Sequence, residues 1–248
     1  MTPVRTARSV INLPAAVADL GTILGVWAHP DDEAYLCGGI YAAARDAGSR
    51  VVCVTATRGE AGGDPVQEPP ERLAAVRTAE MAASLAVLGV VEHHWLDLPD
   101  GGCADLDPEP QIARIAALIT AIGPDTVLTF GPDGETGHAD HIAVSTWTTA
   151  AFRRAAAPGA RLLHTAVPAR WWAEFGHLND EFPAFEPGSP IVVPDDSLAL
   201  DLVLDDGLLA RKVAALRAQT SQTAGIEAGM GPDLYARWVR DESFVDAT

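Results

Sequence analysis

The architecture turns on Thr22-Ile-Leu-Gly-Val-Trp-Ala28, which is cut off by His29-Pro30 and followed by Asp31-Asp-Glu33. A short apolar run bounded by a His-Pro break reads as a buried strand. Asp31 to Gly48 then suits a helix, with carboxylates in its first turn and a glycine near its end. The same unit recurs along the chain. Val51-Val-Cys-Val-Thr55 is a second apolar strand, and the Gly-rich loop Arg58 to Gly63 leads to a helix over 71–88 that stops at Gly89. Val90-Val91 and His94-Trp95-Leu96 form a third strand. Ile112, Ile115, Ile119 and Ile122 make one helical stripe ended by Gly123-Pro124, and Thr126 to Phe130 is the next strand. Strands alternating with helices predict βαβ units and a parallel sheet covered on both faces.

The last third is less regular. Residues 161–167 and 198–204 read as strands, 168–194 is rich in proline and aromatics, and Leu209, Val213 and Leu216 fit one face of a final amphipathic helix. We expect an αβα core over residues 20–160 carrying the functional site, with 161–248 completing its pocket within the same domain.

Composition sets limits. The 248 residues are 48% hydrophobic, enough for a sizeable core, and 17 Lys+Arg against 34 Asp+Glu give a net charge of −17. Such a field repels phosphate backbones and anionic bilayers, so neither nucleic acid nor membrane is an expected partner. Cys37, Cys53 and Cys103 form no CxxC pair, residues 1–20 lack the pattern of a secretory leader, and no stretch approaches a membrane span. The expected compartment is the cytoplasm.

Two segments, Ala28-His-Pro-Asp-Asp-Glu33 and Gly137-His-Ala-Asp-His141, each follow an apolar strand. In open α/β sheets ligands bind at the carboxyl ends of strands, so both reach one crevice. Taken alone, His-Pro-Asp-Asp is more often a turn with a helix cap, and His-x-x-His a pair of surface histidines. Their co-occurrence, in a chain with seven histidines, favours a catalytic divalent metal held by imidazole and carboxylate.

With Thr55-Ala-Thr-Arg-Gly-Glu-Ala-Gly62, Arg77-Thr-Ala-Glu80, Leu96 to Gly102 and Ala214 to Gln222, these segments resemble the PIG-L/LmbE family of N-acetylglucosaminyl deacetylases. The resemblance implies a Rossmann-like three-layer αβα fold with a mostly parallel sheet and a smaller irregular C-terminal subdomain. It implies a metal, usually zinc, on His29, Asp32 and His141, a site type that also accommodates Fe2+ or Co2+. Asp31 would be the general base and His138 the general acid and oxyanion stabiliser, with Asp140 orienting its ring. Arg77 and Asp100 would contact the substrate, and Glu80 would pair with Arg77.

The implied reaction is hydrolysis of the acetamide of an N-acetylated amino-sugar conjugate by an activated water. The alternatives are an amidase cleaving a larger sugar-thiol conjugate and a non-catalytic carbohydrate- or metal-binding module. A homo-oligomer is compatible with the sequence. Two positions depart from the family pattern. Thr136 stands where some relatives carry a mobile Tyr, and Gln219 where many show His.

Overall fold

The computed structural model describes residues 17–64 and 66–248, so most of the stretch read for a leader lies outside the described residues. The chain runs β1 (Ile23–Trp27), α1 (Asp32–Asp46), β2 (Val51–Thr57), α2 (Pro70–Leu88), β3 (Glu92–Leu98), α3 (Pro108–Ile122), β4 (Thr126–Thr129) and α4 (Ala139–Ala155). It continues through β5 (Arg161–Thr165), β6 (Val167–Pro168), α5 (Ala169–Phe175), β7 (Val192–Val193) and β8 (Leu200–Val203). Three helices follow, α6 (Asp206–Arg217), α7 (Thr220–Met230) and α8 (Pro232–Trp238), and then β9 (Asp241–Asp246).

Seven strands form one sheet in the order β3-β2-β1-β4-β5-β9-β8. The first five are mutually parallel, and β9 runs antiparallel between β5 and β8. Every residue of β1 and β2 is buried, as parallel strands covered on both faces must be. Helices α1, α2 and α6 pack together as one layer, and α3 packs on α4. The predicted stripe holds: Ile112, Ile115 and Ile119 are buried, each contributing about 1.5–3 kcal/mol by removal from water. Gly89 and Gly123 end α2 and α3 in the left-handed conformation that glycine adopts without strain.

Two expectations need adjusting. The helix carrying Leu209, Val213 and Leu216 is α6, but it is not the last element, because α7, α8 and β9 follow. The third strand starts at Glu92, so Val90 and Val91 precede it. Helix α1 also departs from regularity at Cys37 (φ −148°, ψ 22°). Beside that kink, Glu242 of β9 accepts the Gly39 and Ile40 backbone N–H groups at 2.7 and 2.8 Å. The fully buried Lys212 of α6 donates to the same carboxylate at 2.8 Å. Gly39 leaves room here, since a Cβ would sit 2.3 Å from Leu204 Cδ2 and the buried Leu204 side chain would have to shift. No helix among the described residues is long and apolar enough to cross a membrane.

Candidate metal centre

Strand order reverses between β1 and β4: the chain leaves β1 towards β2 and β3, then returns to the other side of β1. Loops diverge at such a point and leave a crevice at the strand ends. The segment after β1 supplies His29, Asp31 and Asp32. The segment after β4 supplies His138, Asp140 and His141. His29 and His141, 112 positions apart, meet there, with His29 Nδ1 3.1 Å from His141 Nε2. Asp32 closes the triangle, its Oδ1 3.5 Å from His141 Nε2 and its Oδ2 3.9 Å from His29 Nδ1.

Each of these groups is held from behind. Asp32 Oδ2 accepts the N–H groups of Ala28 (3.1 Å) and His29 (2.7 Å), which fixes the carboxylate at the start of α1. His141 Nδ1 lies 3.0 Å from the Gly134 carbonyl, an acceptor only, so Nδ1 carries the proton and Nε2 is left bare. Phe130 stacks on the same ring at 4.1 Å. Burial holds the His141 ring down at about 4, so it stays neutral. His29 is the opposite case. Burial lowers its affinity for a proton, but hydrogen bonds to Asp100 (3.0 Å) and Asp140 (3.3 Å) at Nε2 outweigh burial and raise the ring to about 10.

Asp31 sits at φ 107°, a left-handed backbone that a non-glycine residue adopts only under strain. Burial pushes its carboxyl up to about 7 against the pull of Arg77, whose Nη2 is 3.3 Å from Oδ2. The His138 ring lies 4.8 Å from His29 and 5.0 Å from His141. Ligand atoms of these three histidines all fall within 4.8 Å of one another, as do those of His29, Asp100 and Asp140. Two imidazole nitrogens and a carboxylate oxygen converging from fixed supports are a donor set that can hold a divalent metal.

Several contacts differ from expectation. The Asp140 carboxylate does not face His138. It accepts from the backbone N–H of Gly101 (2.8 Å) and Cys103 (3.0 Å) and faces His29, while the Asp140 backbone N–H donates to His138 Nδ1 at 3.2 Å. The helix geometry explains this, because His138 is the N-cap of α4 and its ring nitrogen satisfies an otherwise unpaired first-turn N–H. Arg77 is buried and donates to the carbonyls of Gly59 (2.9 Å) and Pro30 (2.6 Å). Its expected partner Glu80 instead accepts from Ser221 N and Oγ, at 2.8 and 2.6 Å. Asp100 is likewise committed within the protein: Oδ1 faces His29, and Oδ2 accepts from Ala61 N–H at 2.7 Å. Burial would raise the Asp100 carboxyl, but these partners outweigh it and hold it at about 2.

Glu33, Gly134 and Gln219 support the site, although the sequence assigned none of them a role in it. Glu33 is fully buried and accepts from Asp31 N–H, Ser84 Oγ and Gln219 Nε2, the last at 2.7 Å. Gln219 thus replaces the expected His with a neutral donor that ties the C-terminal segment to the base of α1. A buried acidic residue next to the aspartate pair was the available signal.

The family model for PIG-L, described as GlcNAc-PI de-N-acetylase, matches residues 24–152, more than half the chain and both metal-centre segments. The chain belongs to the PIG-L family. That membership places this PIG-L protein among hydrolases acting on acetamide C–N bonds. A 1D-myo-inositol 2-acetamido-2-deoxy-alpha-D-glucopyranoside deacetylase from Kineococcus radiotolerans is 34% identical, over 81% of this chain and 68% of that protein. One of the same name from Actinosynnema mirum is 33% identical, over 86% of this chain and 85% of that protein.

Solved structures share the fold. An N,N'-diacetylchitobiose deacetylase from Pyrococcus horikoshii superimposes with a TM-score of 0.67 at 21% identity, covering 95% of this PIG-L protein and 87% of that chain. A 4-carboxy-2-hydroxymuconate hydratase from Pseudomonas putida does so at 0.60 and 15%, covering 92% and 96%. The fold therefore serves more than one reaction, and the site must decide between them.

Proposed function

We propose that this protein is a metal-dependent N-deacetylase that hydrolyses the acetamide of an N-acetylglucosaminyl-type small molecule. The observation that carries this reading is the convergence of His29 Nδ1, His141 Nε2 and the Asp32 carboxylate to within 3.1–3.9 Å, each anchored from behind. In this reading His29, Asp32 and His141 hold the metal, zinc in the first instance, with Fe2+ and Co2+ compatible with the same donors. When bound, the metal supplies Lewis acidity and lowers the pKa of water from 15.7 to about 7.

The chain's own residues do the rest. Asp31 is assigned as general base: burial places its carboxyl at about 7, where it accepts a proton near neutral pH and can return it. Arg77 fixes that carboxylate while bracing the loops after β1 and β2. His138 is assigned as the donor to the departing amine. Its Nδ1 accepts the Asp140 N–H, so the mobile proton resides on Nε2. Asp100 and Asp140 are assigned as positioning residues acting through His29 Nε2, and Arg77 as one acting through Asp31. The relatives named as deacetylases of an acetamido sugar support the substrate class. Three free, buried cysteines support a cytoplasmic setting.

The test is release of free amine from a panel of N-acetylglucosaminyl compounds by zinc-loaded protein, run beside Asp31→Asn. Turnover should fall by at least about 10²-fold in the variant with zinc content unchanged. Equal turnover in both proteins would remove Asp31 from the role. Absence of amine release from every compound by the zinc-loaded protein would overturn the deacetylase reading.

A further inference from the structure

Beside the metal centre lies a cavity of about 210 Å³ bordered by Asp32 and His141 but not by Asp31, Arg77 or Asp100. Its walls are largely aromatic and aliphatic, from Tyr35, Phe130, Trp171, Phe185, Ile226 and Trp238. A hydrophobic cavity that opens onto a hydrolytic centre is suited to an apolar part of the substrate.

One residue in this wall breaks the pattern twice. Glu135 adopts φ 59°, left-handed geometry that costs a non-glycine residue stability. Its side chain nonetheless turns inwards, where Oε2 is out of solvent with no hydrogen-bond partner. The Thr165 hydroxyl lines the same cavity and is also buried without a partner. Burial pushes the Glu135 carboxyl up to about 7, against the pull of the Thr165 hydroxyl beside it. A glycine would relieve the backbone, and a solvent-facing side chain would relieve the carboxyl. A position that carries both costs while Oε2 stays unpaired is one whose carboxyl is completed from outside.

We infer that the Glu135 carboxyl reads a hydrogen-bond donor, a hydroxyl or an amine, on an apolar and preferably aromatic group of the substrate seated in this cavity. The inference rests on the deacetylase reading for the word substrate, but the binding site itself does not. Trp171, Phe185 and Trp238 supply stacking and dispersion, and Glu135 supplies orientation with Thr165 beside it in the wall. The donor-bearing group sits on one side of the scissile amide, either in the acyl part or in the aglycone.

The first measurement is binding of phenol and of its near-isostere fluorobenzene to metal-free protein, read by quenching of tryptophan fluorescence. Wild-type protein should favour phenol by about tenfold, the usual scale for a hydrogen bond to a charged partner. The ratio should fall to about one in Glu135→Leu and Glu135→Gly. Glu135→Gly should also melt roughly 2–4 °C higher, because the strain is relieved. A structural glutamate would do the reverse, so a lower melting point in Glu135→Gly overturns the assignment. So does a phenol preference that is absent in wild type or survives in the variants.

The second measurement compares hydrolysis of N-(4-hydroxybenzoyl)- with N-(4-fluorobenzoyl)glucosamine, and of the 4-hydroxyphenyl with the 4-fluorophenyl glycoside of N-acetylglucosamine. The series whose kcat/KM ratio depends on Glu135 identifies which side of the amide enters the cavity. Dependence in neither series refutes a role in substrate recognition. Because the phenol arm needs neither metal nor turnover, failure of the deacetylase reading leaves its outcome decisive.

Discussion

Replacing Lys212 by Met should destabilise the protein far more than a surface lysine would. Lys212 and Glu242 are both fully buried and 2.8 Å apart, and Glu242 also accepts two N–H groups beside the α1 kink. Methionine matches the volume of the lysine stem, so the packing of that stem beside Gly38 is kept while the charge is lost. What is left is a carboxylate out of water with two neutral donors, and such a broken buried pair costs about 3–5 kcal/mol. For a chain of this size that corresponds to a fall in melting temperature of roughly 6–20 °C. Guanidinium unfolding of zinc-free protein gives the free energy directly.

The double variant Lys212→Met with Glu242→Gln separates charge from shape. The Gln oxygen still accepts from Gly39 or Ile40, and no buried charge remains, so the double variant should recover at least about 2 kcal/mol of the single-variant loss. A Lys212→Met loss below about 1 kcal/mol would refute the reasoning, as would a double variant no more stable than the single one.

Three further outcomes follow from the same geometry. Zinc binding at pH 7 should displace a proton from His29 Nδ1, since that ring is held at about 10 before the metal arrives; calorimetry in buffers of different ionisation enthalpy should show release of about one proton per zinc, and no buffer dependence would contradict it. Glu135, raised from 4.5 to about 7, holds its proton longer folded than unfolded, so it contributes stability below pH 4.5 that is lost as pH rises through 7. The loss is at most about 3 kcal/mol, and urea titrations of metal-free Glu135→Gly should lack it. Gly39→Ala should cost at least about 1–3 kcal/mol in the same titrations, because its Cβ meets Leu204 at 2.3 Å; a neutral substitution would mean that α1 can move aside.

The parallel core was legible because each of its signals is local. Apolar runs, glycine stops and the isoleucine stripe act within about a dozen residues, and the switch point then follows from the order of the units. The placement of β9 was not legible. It is the last strand in sequence yet sits between β5 and β8, and only a tertiary partner such as the Lys212–Glu242 pair accounts for an acid in its buried face. Within the site, residue types announced that the two His/Asp segments would share one crevice, and the family resemblance singled out His29, Asp32 and His141, but neither told which acid would face which ring. Asp140 shows why: its place in the first turn of α4 directs its N–H to His138 and its carboxylate to His29, a choice made by helix geometry. Glu135 escaped attention because its significance lies in a backbone angle, which composition does not encode.

His29 and His141 lie 112 positions apart, and the β1–β4 pairing that brings them together joins residues near 23 to residues near 128. During synthesis from the N-terminus, the first half of the donor set therefore waits through two complete βα units before its counterpart leaves the ribosome. In the proposed reading, metal capture would therefore be a late event in the life of the nascent chain. The ion would then tie together segments whose ends are costly to bring close in an open polymer, and would act as a cross-link as well as a reagent.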